Sequence, residues 1–536
     1  MSSLKYLVFG LLVLLAFSCS QYPKNEDISE QLQGMSGDFN RDSLYQKVYS
    51  QNDFQPIWVK AQGVNNKGEE LLAYLEEIQF EGLDKKDYLY DEIESLVTEI
   101  KETTDPELHA VLDMMMSNAY WRLARDLDRG RVDPTNLNID WKIDPEVKRT
   151  DYYSLLLDLN SNNTSVEKSL NELRPDNFRY NQLKALLKEA LEKKNDKNTK
   201  ISFSGKIEPG DQHEVIPKIR NRMIQFSDLE EYNAEDSLLY DSELEYGIRN
   251  FQARHGLNPD GILGQDFFQA INYQHEDYLT KIKVNLERLR WLPNFVDGKD
   301  EKVIVNIPDF FLYYLSGEDT VLQSKVVVGK EYRKTPVFYS KMSYLVFSPT
   351  WTLPQTILWE DAIPAIQDDL SYLERNRMQV LTLDGEQVDP KDVNWDDVSK
   401  EEFPYLIQQV SGDHNSLGRV KFMFPNDHSI YIHDTPADSY FSKDERTYSS
   451  GCIRIENPVE FASLLLEDSH WDEEEITKAM KLEDEKNVNL KKNPEVWILY
   501  LTIWKDQKGV QVREDVYEGD KKLAEALGLP VTNDFL

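Results

Sequence analysis

Apolar residues between positions 54 and 205 recur at helical intervals. In "GEELLAYLEEIQFEGLD" the spacing puts Leu71, Leu72, Leu75 and Ile78 on one face, and Gly82 stops the run. "HAVLDMMMSNAYWRLARDLDRGRVDP" repeats the pattern with Gly130 and Pro134 as breakers, and "LKALLKEALEKKND" adds another amphipathic helix. The run Met114 to Met116 fits core filling better than a metal box. Residues 51–205 are expected to form an all-helical domain without a catalytic constellation. Residues 20–50 are polar with few apolar anchors and are expected to be a flexible tether.

The pattern then tightens. In "DSLLYDSELEYGIRNFQARHGLNPDGILGQDFFQAIN" a helix carrying Leu244, Ile248 and Phe251 ends at "RHG", a turn follows at "NPDG", and a second helix opens after Gly264. The line Phe251, Gln252, Gly256, Leu257, Asp260, Gly261, Gly264 resembles the small three-helix peptidoglycan-binding module, which residues 210–275 would form. Such a module either binds glycan or serves as a packing unit.

From about residue 300 the period changes to that of strands. "KVIVNIPDFFLYYL", "SKVVVGK", "SYLVFSPTWTL", "HSIYIHD", "VWILYLTIWK" and "GVQVRED" are β-branched or aromatic runs bounded by turn residues. Residues 280–536 are expected to be a mainly-β domain, interrupted by a helical insertion over 355–409 that projects as a cap or lid.

The N-terminus has a different logic. Lys5 precedes an apolar stretch of about a dozen residues, Tyr6 to Phe17, too short to span a bilayer comfortably and suited to a secretory signal over 1–19. "AFSC" resembles a bacterial lipoprotein lipobox, with Ala16 where leucine is commoner. That resemblance implies cleavage and lipidation at Cys19; the alternative is an ordinary signal with an incidental cysteine. Either way the chain is expected to leave the cytoplasm for the periplasmic side of the envelope.

Charge narrows the partners. Acidic residues outnumber basic ones 96 to 61, a net charge of −35, which argues against a nucleic-acid surface. Two cysteines in 536 residues cannot build a disulfide framework or a cysteine zinc site.

The second cysteine, Cys452, sits in "TYSSGCIRIENP". A nucleophilic thiol needs a base and an oxyanion site, because a free thiol of pKa about 8.5 is mostly protonated at neutral pH. Of eight histidines, His433 ends a β run and lies 19 residues before Cys452. His428 and His414 are weaker candidates. Small residues let the N–H groups of Ser450, Gly451 and Cys452 turn toward a developing oxyanion. The alternative for Cys452 is a buried inert thiol.

"IYIHDTPADSYFSKDERTYSSGCIRIENP" resembles the signature of the L,D-transpeptidases, cell-wall cross-linking enzymes. Their pattern runs from a histidine through a short loop to Ser/Thr-His-Gly-Cys, with an arginine two positions on. Ser450 replaces the second histidine, as in the large multidomain branch of the family. "PIWV", "GLDKKDY" and "DRGRVDP" resemble that branch's helical scaffold, and "NLERLRWLP", "VVVGKEYRKTP", "PTWTLP" and "NSLGRVKFMFPN" its catalytic domain.

The resemblance implies Cys452 as nucleophile, His433 as base, and Gly451 and Ser450 at the oxyanion turn. Tyr431 shares the face of His433, where it orients the base, hydrogen-bonds the intermediate or simply packs. Arg454 is a candidate for a stem-peptide carboxylate, or a structural ion pair. Trp351 and Tyr405 are candidates for the substrate groove, with aromatic packing as the alternative. The implied reaction joins peptidoglycan tetrapeptide stems through 3→3 cross-links by an acyl-enzyme. An L,D-carboxypeptidase and a silent peptidoglycan-binding lipoprotein are the alternatives. No metal or organic cofactor is implied. Acylation by carbapenems and a monomeric state are.

Overall fold

A computed structural model of the chain describes residues 22–35, 44–144, 150–161, 164–192, 199–232, 234–293, 301–317, 319–467 and 469–531. The chain forms two compact units. One comprises Met1–Asp133, Asp144–Asn195 and Ile282–Phe295; the other comprises Pro134–Ile143, Asp196–Lys281 and Val296–Leu536.

The first unit is helical. Its long helix, Pro106–Arg129, is capped by the Asp105 carboxylate on the Glu107 N–H and stops at Gly130. Met116 is fully buried and Met114 and Met115 pack against the same core, as core filling requires. Asp113 on this helix is buried and accepts from the N–H groups of Ile57 (3.1 Å), Trp58 (2.7 Å) and Val59 (3.0 Å). That carboxylate is why "PIWV" turns where it does.

Two boundaries differ from expectation. Asn25–Gly34 is a helix with Ile28 and Leu32 fully buried in this core, so the tether is not uniformly flexible. Two apolar residues four apart were enough to dock it. Residues 282–295 also belong here, because Arg290 is buried against Tyr180 and Glu287. Cys19 lies outside the described residues. Among them, no helix is long and apolar enough to cross a membrane.

In the second unit, helices Ile216–Gln225, Ser242–Arg254 and Gln265–Ile271 make a three-helix module around Ile219, Ile248 and Phe251. The motif residues build its turn. Gln252 accepts from the Gly261 N–H (2.8 Å) and donates to the Ile262 carbonyl (3.0 Å) and Asp260 (3.1 Å).

The main sheet orders its strands Lys486–Asn489, Tyr344–Phe347, Val420–Met423, Ile432–His433, Ile453–Ile455, Asp319–Gly329, Phe311–Ser316, Lys302–Asn306, Glu495–Leu499 and Phe338–Lys341, with Thr447–Ser449 also against Asp319–Gly329. Most neighbours are antiparallel, but Ile432–His433 runs parallel to Ile453–Ile455. A parallel pair needs a crossover, and residues 434–452 supply it.

The insertion is not purely helical. Trp351–Thr352, Met378–Thr382, Gln387–Val388 and Tyr405–Gln409 form a separate four-stranded sheet. Helices from Gln355 to Arg375 pack on it around Leu358, Ile363, Ile366, Val380 and Ile407. Short alternating strands such as "MQVLT" are easily read as helix ends, and only pairing with Tyr405–Gln409 fixes them as strands.

Candidate active site

The parallel pair sets the site. Ile432 aligns with Ile453 and His433 with Arg454, so one step back Tyr431 lies beside Cys452. The Ile453 N–H donates to the Tyr431 carbonyl at 3.0 Å. Side chains alternate across a sheet, so the isoleucines and the polar residues separate onto opposite faces. Ile432, Ile453 and Ile455 are buried. The other face carries Tyr431 and Cys452 in one row and His433 and Arg454 in the next, ~6.6 Å farther along at the usual strand rise.

His433 is only 4% exposed. Its Nδ1 lies 2.5 Å from the Asp434 carbonyl, and the Leu417 backbone also bonds the ring. The Tyr431 ring stands edge-on, 5.7 Å away. Burial, then the neighbouring Arg454 charge, pushes the imidazole down to about 3. Cys452 is half-buried, with Sγ 3.6 Å from the Ser429 carbonyl. Burial pushes its thiol up to about 11, against hydrogen bonds from Tyr431 that pull the other way. Thiol and imidazole are therefore both neutral at pH 7, and among the described residues no hydrogen bond joins them.

The turn before the nucleophile is held from both sides. Gly451 has φ +114°, a left-handed region that an L side chain rarely adopts. Its N–H donates to Ser449 Oγ at 3.1 Å, so it is not free for an oxyanion as expected from sequence. Among the described residues the Cys452 N–H has no acceptor. The Ser449 carbonyl accepts from the Lys330 N–H at 3.0 Å, and the Gly451 carbonyl from Thr335 Oγ1 at 2.7 Å. The same Thr335 oxygen accepts from the Gly329 N–H at 2.9 Å.

The remaining candidates divide. Trp351 and the Cys452 thiol both lie near enough to the Tyr431 hydroxyl to influence its titration. The Tyr405 ring packs edge-on against Phe403 at 5.6 Å in the insertion's core. Arg454 forms no ion pair among the described residues; its guanidinium lies 5.8 Å from the Tyr440 ring, which stacks on Tyr448 at 4.7 Å. Arg446, six residues before Cys452 and not among those candidates, is held by the Val326, Lys443 and Phe310 carbonyls, to which it donates. The His428 ring packs edge-on against Phe338 at 5.4 Å. Thr335, Tyr440 and Tyr448 were missed from sequence: the partner of the Thr335 hydroxyl lies 116 residues away, and the two tyrosines meet only through the folding of the crossover loop. No group of three or more metal-ligating side chains occurs among the described residues.

Residues 43–187 match a scaffold domain, 219–271 a "Putative peptidoglycan binding domain", and 300–477 an L,D-transpeptidase catalytic domain. A "Putative L,D-transpeptidase" of Haemophilus influenzae is 33% identical over 243 residues, 45% of this chain and 48% of the relative, so the match spans about half of the relative's length. An L,D-transpeptidase structure from Xylanimonas cellulosilytica covers 55% of this chain and 98% of its own at 11% identity, with a TM-score of 0.17. Another, from Stackebrandtia nassauensis, covers 56% and 96% at 12% identity, with a TM-score of 0.21. A scaffold domain, a peptidoglycan-binding domain and an L,D-transpeptidase catalytic domain are thus matched in that order along the chain.

Proposed function

We propose that the protein is a peptidoglycan L,D-transpeptidase that makes 3→3 cross-links through a Cys452 acyl-enzyme. The observation that carries this reading is the parallel register that puts Cys452 and His433 on one face in adjacent rows. The thiol sulfur attacks the carbonyl of the third stem residue, while His433 accepts the thiol proton. Because both groups rest neutral, proton removal accompanies attack rather than preceding it. A C–S bond forms, the C–N bond breaks, and the proton held by His433 passes to the departing amine of the terminal D-alanine. The amine of a second stem then attacks the thioester, and the thiol recovers its proton. The Cys452 N–H and the Tyr431 hydroxyl supply oxyanion donors, and Ser450 contributes its backbone to the turn.

Arg454 fits the leaving end of the donor. The carbonyl reacts in the row of Cys452, and the departing amine meets His433 one row on. The free carboxylate beside that amine then meets Arg454, whose charge no protein carboxylate engages among the described residues. This favours a stem ending in one residue beyond the scissile bond. If water replaces the second amine, the same site is an L,D-carboxypeptidase. Cys19, if lipidated, anchors the enzyme to a membrane on the periplasmic side, and the three-helix module brings it to glycan. We treat it as a monomer that uses no cofactor.

The test is intact mass after exposure to a carbapenem, for residues 20–536 and for Cys452→Ala. A single adduct on the wild type alone supports the reading. No adduct on folded protein moves a silent peptidoglycan-binding lipoprotein to first place.

A further inference from the structure

The loop before Phe338–Lys341 carries a side chain that the chemistry above leaves unassigned. Arg333 is only 11% exposed, and its guanidinium reaches two distant chain segments at once. Nη1 donates to Asp361 Oδ2 at 2.6 Å, while Nη2 donates to Asp361 Oδ1 at 3.0 Å and Glu360 Oε2 at 2.7 Å. Nη1 also donates to Ser450 Oγ at 3.2 Å. Ser450 is two residues before the candidate nucleophile; Glu360 and Asp361 belong to the insertion.

The acids sit on a special piece of helix. Leu358–Ala362 is a π turn between the α-helical segments Gln355–Ile357 and Ile363–Asp368. Pro364 has no N–H for the Glu360 carbonyl, so the ladder widens there. The widened turn puts two consecutive carboxylates against one guanidinium, and the planar fork of Arg333 takes Asp361 in bidentate fashion.

We propose, on the basis of the L,D-transpeptidase reading, that Arg333 is a positioning residue that couples the insertion to the turn presenting Cys452. The loop already fixes the backbone on either side of Ser450, through Lys330 and Thr335. Arg333 fixes Ser450 itself, and does so from a point tied to the insertion. A substrate that shifts the insertion thereby shifts the turn. Ser450 suits this role because its short hydroxyl accepts from the guanidinium without filling the space the guanidinium needs.

The experiment is a double-mutant cycle on the full chain. Asp361→Asn and Ser450→Ala do not touch each other, so independent roles would make their effects multiply. Coupling through Arg333 predicts that the double variant is about three-fold or more better than that product. It also predicts that the excess disappears in an Arg333→Gln background. D-alanine release from a tetrapeptide stem should show the loss in kcat, with KM changed by less than about two-fold. Arg333→Lys should recover part of the loss, keeping the charge without the fork.

Multiplying effects in the wild-type background, coupling that survives Arg333→Gln, or losses confined to KM would each overturn the proposal. Alkylation of Cys452 by iodoacetamide is read in parallel. If the wild type releases no D-alanine, the transpeptidase reading fails, yet the cycle is still decided by alkylation rates.

Discussion

His433 and Arg454 are register partners on parallel strands, one row beyond Tyr431 and Cys452. The base therefore shares its row with a cation, and that neighbour helps keep its imidazole unprotonated. Burial and the neighbouring cation both disfavour an imidazolium at this position. In the proposed mechanism it is the neutral acceptor of the thiol proton while attack occurs.

Alkylation of Cys452 by iodoacetamide should accordingly lack a plateau near neutral pH. With the thiol at about 11, the rate should climb about tenfold per pH unit through pH 8 to 10. A plateau by pH 7 would show a thiolate–imidazolium pair instead.

Tyr431→Phe removes the hydroxyl that bonds the thiol, a bond that lowers the thiol's pKa. Alkylation at pH 8 should slow by about tenfold, the size of a hydrogen bond to a charged group. Secondary structure by circular dichroism should be unchanged. An unaltered rate would leave Tyr431 as packing.

The His433 ring also makes a pH signature in stability. Its folded pKa, about 3, lies below the unfolded value of about 6.5, so its contribution is complete above 6.5 and is lost as pH falls toward 3. Urea midpoints of wild type and His433→Gln should therefore converge as pH drops from 6.5 to 4. Parallel curves would mean the ring is solvated.

Gly329→Ala tests the cradle without touching the candidate nucleophile. An added Cβ would lie 2.2 Å from the Arg333 carbonyl and 2.7 Å from the Thr335 N, both backbone atoms that cannot swing away. Overpacking of this kind costs about 1–3 kcal/mol. Carbapenem acylation should fall with it, since Thr335 holds the Gly451 carbonyl. A variant with unchanged melting and unchanged acylation would show that the loop is compliant.

In the helical unit, Arg290→Met strips Glu287 and Tyr180 of a buried partner. Leaving a buried charge unpaired costs about 3–5 kcal/mol. The denaturant midpoint should fall accordingly, and a smaller shift would mean that the remaining groups repair the network.

The sequence by itself determined the domain order, the class of each domain and the candidate nucleophile and base. Local patterns carry that information: a 3.6-residue period in "HAVLDMMMSNAYWRLARD", a short continuous β-branched run in "KVIVN", and a lone cysteine after "SSG" downstream of a strand-ending histidine. Periodicity and turn chemistry are properties of a few consecutive residues. Tertiary structure alone decided the rest. It put Arg454 in the row of His433, turned the Gly451 N–H inward, and sent Tyr405 into the insertion's own core. It also folded part of that insertion as sheet, docked Asn25–Gly34 into the helical core, and brought Arg333 to Ser450 across 117 residues. Each of these depends on which distant partner a strand or a charged side chain finds, and that choice is made by register and burial, not by neighbours in the chain.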